Sequence, residues 1–131
     1  MKILIVEDEE ALFNVLRERF TNEGYEVAVA EDGEKAIVEA RRFKPDMILL
    51  DLILPKKDGL AVLEELKGDS ELKSIPVVIL SNLAEDDSIK KGLALGAQDY
   101  FVKTQHPIGE VVEKVDTYIR NPKPGELNDK E

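Results

Sequence analysis

The sequence predicts an α/β domain in which five βα units build one parallel sheet, and three observations point there. Short β-like runs alternate with stretches of helical period along most of the chain, the pattern that strands and crossover helices leave when they build a parallel sheet. Three runs, Ile3 to Val6, Met47 to Leu50 and Val77 to Leu80, are almost continuously apolar, as central strands covered by helices on both faces are. Acids stand where two of these runs stop, Glu7 and Asp8 after the first and Asp51 after the second. In an open parallel sheet the carboxyl ends of strands converge on the ligand crevice, so these acids face one another there. Three anions at one crevice repel one another and attract a cation.

The strands are expected at 2–6, 25–30, 46–50, 76–80 and 99–102. The second, Tyr25-Glu26-Val27-Ala28-Val29, alternates and suits an edge. In the first helix Leu12, Val15, Leu16 and Phe20 recur at helical spacing, and Asn22-Glu23-Gly24 ends it with a glycine free to take positive φ. Asp32-Gly33 opens the second helix, which carries Ala36, Ile37, Ala40 and Phe43 and closes at Lys44-Pro45-Asp46. The third runs from about Gly59 to Lys67, with Leu60, Leu63 and Leu66 on one side, Gly68 as its stop and Asp58-Gly59 as its turn and start. The fourth lies between Glu85 and Leu95, with Ile89 and Leu93 inward and Gly96 past its end. Its Glu85-Asp86-Asp87 reads as a solvated first turn that suits the helix dipole. The fifth begins at Pro107, a favoured first helical position, and carries Ile108, Val111, Val112, Val115, Tyr118 and Ile119. Residues 1–120 therefore form the domain. The polar, proline-bearing stretch 121–131 is read as a flexible tail or linker stub, because it has too little apolar surface to repay its ordering.

The chain has 131 residues, 43% of them hydrophobic, which suffices for one core. Cysteine is absent, which excludes disulfides and thiolate chemistry. No apolar run approaches the about 20 residues of a membrane span, and a cytoplasmic location is expected. The net charge of −10 disfavours direct binding of nucleic acid or anionic membrane by this chain.

Asp51 is followed by a loop that turns at Pro55 and Gly59. A carboxylate beside a cation can attack a phosphoryl group as a nucleophile and form an acyl phosphate. Glu7, Asp8 and Asp51, a loop carbonyl and waters match the octahedron of oxygens that Mg²⁺ demands. Ser81 ends the fourth strand and Lys103 follows the fifth. If those strands lie beside the one bearing Asp51, a hydroxyl and an ammonium reach the same crevice and can hold phosphoryl oxygens. Asp8 has a second reading as the cap of the first helix. His106 reads as structural or solvated, and Lys56-Lys57 as solvated loop charge.

The order acidic pair, Asp-(x)3-Pro-(x)2-Asp-Gly, hydroxyl after the fourth strand, Gly-Ala-(x)2-Tyr-(x)2-Lys resembles the receiver domain of bacterial two-component response regulators, over residues 1 to about 120. The resemblance implies a doubly wound, flavodoxin-like (βα)5 fold with strand order 2-1-3-4-5. It implies Asp51 as acceptor of a phosphoryl group from a histidine kinase or phosphotransfer protein. Mg²⁺ (or Mn²⁺) would be held by Glu7, Asp8, Asp51 and the backbone carbonyl of Ile53. Ser81 and Lys103 would contact the attached phosphoryl group, and Tyr100 matches the aromatic switch residue. The expected consequence is a changed affinity for a downstream protein or output domain; homodimerisation through the face of the fourth helix, fifth strand and fifth helix is common in the family and is left open for this chain. No turnover enzyme is implied.

Three positions depart from the family pattern: Thr104 where proline usually follows the lysine, Ser81 for threonine, and Asn82 for a smaller residue. Ile53 and Leu83 should flank the acyl phosphate; neither can orient water, so slow self-dephosphorylation is expected. A dehalogenase-type phosphatase would want a second Asp where Ile53 stands. A flavin carrier would want a hydroxyl- or glycine-rich turn where Glu7-Asp8-Glu9-Glu10 stands. The remaining alternative is a receiver-like interaction module acting without phosphorylation.

Overall fold

Five parallel strands in the order β2-β1-β3-β4-β5 form the sheet. The computed structural model describes residues 1–121, and the stretch read as a tail lies outside them but for Asn121. The elements are β1 (Lys2–Val6), α1 (Glu10–Asn22), β2 (Glu26–Ala30), α2 (Gly33–Phe43), β3 (Met47–Leu50), α3 (Gly59–Gly68), β4 (Val77–Ser81), α4 (Asp86–Ala94), β5 (Asp99–Val102) and α5 (Ile108–Arg120). The three apolar runs occupy the three central positions and the alternating β2 an edge, as their patterns require.

Strand alternation divides the core in two. Leu4, Val6, Ile48, Leu50 and Ile79 face α2 and α3, meeting Ala36, Ala40, Val62, Leu63 and Leu66. Ile3, Ile5, Met47, Leu49 and Val78 face α1 and α5, meeting Phe13, Leu16, Phe20, Val111 and Val115. Both sheet faces are thus covered, so the polar chemistry is left to the sheet's ends.

Register places that chemistry. Val6 lies opposite both Ala30 and Leu50, so β1, β2 and β3 end level. The ladder runs one residue further: Glu7 N–H donates to the Ala30 carbonyl and Asp51 N–H to the Val6 carbonyl, each at 3.0 Å. Glu7 and Asp51 therefore leave the sheet side by side.

Several boundaries and faces differ from expectation. On α1 Leu16 and Phe20 are buried and Leu12 is partly covered as expected, while Phe13 completes the buried stripe and Val15 is exposed. On α3 Val62 is buried with Leu63 and Leu66, while Leu60 is only partly covered. On α4 Leu93 is exposed and Gly92 faces the sheet. A Cβ at residue 92 would stand 2.6 Å from Ile79 Cδ1, so α4 packs close against the sheet at this point. Pro107 is the N-cap of α5, one position before its first helical residue. Tyr25 precedes β2, Asp46 precedes β3 and Pro76, which has no N–H to give the ladder, precedes β4.

The caps at Asp32 and Asp58 form as expected, accepting from Lys35 N–H (2.8 Å) and Ala61 N–H (3.0 Å). Asp8 is not a cap: Glu9 holds that position on α1, without a side-chain bond, and its N–H donates to Glu7 Oε2 at 3.1 Å. Gly24 and Gly96, past the ends of α1 and α4, take φ of 95° and 110°.

Candidate functional site

Glu7 and Asp8 after β1 and Asp51 after β3 each bring a carboxylate oxygen within 4.8 Å of the others. Glu7 is 2% exposed and Asp51 4%, whereas Asp8 stands at the solvent rim. Lys103, just past β5, reaches into this group: its Nζ lies 2.9 Å from Glu7 Oε1 and 2.9 Å from Asp51 Oδ2. Lys103 N–H donates to the Ser81 carbonyl at 2.9 Å, which carries the β4–β5 ladder one residue further and aims the side chain back over the sheet's end.

The charges do not balance. Burial pushes the Glu7 carboxyl up from 4.5 to about 7; the Lys103 hydrogen bond works against this and the neighbouring charge of Asp51 adds to it. Burial also works against the Lys103 ammonium, but the hydrogen bonds to Asp51 and Glu7 outweigh it and hold its pKa above the ordinary lysine value. One ammonium thus faces three carboxylates. Their donor atoms are oxygens only, the set that suits a hard divalent cation such as Mg²⁺ or Mn²⁺.

Around this centre, Ile53 N–H donates to Asp51 Oδ1 at 3.1 Å, and the Ile53 side chain is 53% exposed. Ser81 is fully buried and its Oγ accepts from Leu83 N–H at 3.4 Å. Tyr100 is buried, and its hydroxyl donates to the Leu83 carbonyl at 2.6 Å. Glu7, Asp8, Asp51 and Lys103 are therefore brought together directly. Ser81 and Tyr100 are joined through Leu83, and among the described residues neither hydrogen-bonds a carboxylate of the cluster.

All peptide bonds among the described residues are trans, the Lys103–Thr104 bond included. Lys57 pairs with Glu65, and Lys56 Nζ stands 3.9 Å from Asp32. His106 packs edge-on against Phe101 and pairs through Nδ1 with Glu110 at 2.8 Å, a structural role. Two glycines matter more than the sequence reading allowed. A Cβ at Gly59 would stand 2.3 Å from the Asp51 carbonyl oxygen, and one at Gly33 would stand 1.9 Å from that of Lys57. Their common signal was Asp-Gly, which reads only as a helix start.

A groove of about 410 Å³ lined by Ala40, Lys44, Pro45, Leu72 and Ile75 lies toward the opposite end of the strands, away from the carboxylates. No helix among the described residues is long and apolar enough to cross a membrane.

The chain belongs to the response regulator receiver domain family, whose model matches residues 3–116. It is 40% identical over 121 residues to the alkaline phosphatase synthesis transcriptional regulatory protein PhoP of Bacillus subtilis (strain 168), covering 91% of this chain and 48% of PhoP. The chain spans about half the length, or less, of the curated relatives it matches. Among solved structures, the phosphorylated cyanobacterial phytochrome response regulator RcpA superposes with a TM-score of 0.80 at 36% identity, covering 89% of this chain and 91% of that one. The Mn²⁺-bound form of response regulator Rcp1 gives 0.73 at 33% identity, covering 80% and 82%. Receiver domains are signalling domains of two-component systems that bind Mg²⁺ or Mn²⁺ at an acidic pocket and work with histidine kinases and output domains.

Proposed function

We propose that this chain, as one receiver domain over residues 1–120, is a phosphorylation-controlled switch that accepts a phosphoryl group on Asp51. The reading rests on one observation: three carboxylates share a crevice with a lysine whose Nζ is 2.9 Å from two of them. Glu7, Asp8, Asp51 and the Ile53 carbonyl would hold Mg²⁺ or Mn²⁺, which shields the carboxylates and the incoming phosphoryl oxygens from one another. An Asp51 carboxylate oxygen attacks phosphorus in line with the donor's phosphohistidine nitrogen. The O–P bond forms as the P–N bond breaks, and the electron pair returns to the imidazole, which takes up a proton.

The acyl phosphate carries new charge at Asp51, and Lys103 then trades a carboxylate partner for phosphoryl oxygens. Ser81 ends β4 beside β5 and would donate its hydroxyl to the same oxygens. Because Ser81 and Tyr100 share Leu83 as a partner, a shift of Ser81 reaches Tyr100 and with it the surface of α4, β5 and α5. That surface would bind a downstream protein or output domain, or a second copy. Relatives such as PhoP, a transcriptional regulatory protein, support an output of that kind.

Intact-mass measurement after incubation with acetyl phosphate and Mg²⁺ tests this. The expected result is a single phosphoryl adduct, lost on adding a chelator and absent from Asp51→Asn. No adduct in a chain that binds the metal would favour a receiver-like module working without phosphorylation.

A further inference from the structure

The loop joining β3 to α3 carries the Ile53 carbonyl, and it is held from outside the acidic crevice. At its far end Gly59 lies against the Asp51–Leu52 backbone, with its N–H donating to the Leu52 carbonyl at 2.9 Å. The second hold comes from another helix. A Cβ on Gly33, the first residue of α2, would stand 1.9 Å from the Lys57 carbonyl oxygen and 2.7 Å from the Lys57 Cβ. These are backbone and near-backbone atoms with no flexible end to swing away, so any larger residue at 33 displaces the loop.

Gly33 N–H also donates to the Pro55 carbonyl at 3.3 Å, and Lys57 N–H donates to the same oxygen at 2.8 Å. The latter is an i→i+2 bond around Lys56, whose φ is 70°, and so a γ-turn of the rare, strained kind. Such a turn persists only where its surroundings over-determine it. Asp32, buried although charged, fixes the helix end beneath it by accepting from Lys35 N–H. The Lys56 ammonium, 3.9 Å away on an exposed side chain, adds little.

We infer that Asp32 and Gly33 act as a clamp on the β3–α3 loop, so that the start of α2 sets the cation affinity of the carboxylate crevice without supplying a ligand. The inference rests on the proposed metal role of the Ile53 carbonyl. Groups that orient a ligand without touching the metal commonly change affinity by about 10- to 100-fold when altered.

Titration of the whole chain with Mn²⁺, followed by the electron paramagnetic resonance of the free ion, tests the clamp. Gly33→Ala should weaken binding by about tenfold. Ala36→Gly, in the same helix, should lower stability yet bind as wild type. If Gly33→Ala does not fold, Asp32→Ala decides: it should weaken binding, and Asp32→Asn, an equally good cap, should restore it. Wild-type affinity in Gly33→Ala, or in Asp32→Ala when that variant decides, overturns the clamp, as does an equal loss in Ala36→Gly. A wild-type chain that binds no Mn²⁺, or binds it unchanged in Asp8→Asn, overturns the metal reading and the clamp with it.

Discussion

Replacing Lys103 with methionine keeps most of the side chain's length and removes the one ammonium between two buried carboxylates. Glu7 and Asp51 are 2% and 4% exposed, and each loses a 2.9 Å partner. Removing one member of a buried ion pair costs about 3–5 kcal/mol when the other stays charged. Glu7 has an escape, however, because it can take up a proton. Its pKa is already raised from 4.5 to about 7 by burial against the pull of Lys103, which at 1.36 kcal/mol per pKa disfavours its anion by about 3 kcal/mol.

Since the folded-state pKa lies above the unfolded one, the associated stability is present in full below pH 4.5. It is lost as pH rises through about 7. Without Lys103 that pKa rises further, so Lys103→Met should cost about 3–5 kcal/mol at pH 8. The cost should be about 1 kcal/mol smaller at pH 6, where Glu7 is already mostly neutral in the wild type and loses little charge pairing when Lys103 goes. Urea unfolding of both proteins at the two pH values, in chelator, measures this. Added Mg²⁺ should then stabilise the variant more than the wild type, since a cation replaces the missing ammonium. A loss that is equal at both pH values, or below about 1 kcal/mol at pH 8, would refute the picture of mutually repelling anions.

Phe20, fully buried between α1 and the sheet, should cost about 3–5 kcal/mol on truncation to alanine, read as a lower urea midpoint at unchanged slope. Tyr25 is held up at about 12 by burial and by its hydrogen bond to Asp116. Its contribution is therefore full below about pH 10 and lost as pH rises toward 12, and Tyr25→Phe should flatten the alkaline loss of melting temperature between those limits. Ile53 and Leu83 carry no group that orients water, so the acyl phosphate should persist, and Ile53→Asn should shorten its life in a mass time course. A wild-type lifetime on the order of seconds would contradict that reading.

Residue pattern alone determined the architecture, because a helix and a strand each write their period into the apolar positions. The uninterrupted apolar runs of β1, β3 and β4 announced central strands, and the acids at their ends announced the crevice, since strand ends in a parallel sheet converge wherever the helices lie. Glu7, Asp51 and Lys103 were legible for that reason, with strand ends as their coordinates. Facing within helices was less so: Val15 and Leu93 sat at plausible spacing, but the face a helix buries depends on how closely it approaches the sheet, and at Gly92 that approach is set by Ile79 and Tyr100. Contacts between elements far apart in sequence were not legible at all. That the start of α2 presses on the loop after β3, with Gly33 under Lys57, follows from the sheet order that seats α2 beside α3. No local spacing records which backbone will pass within van der Waals distance of another.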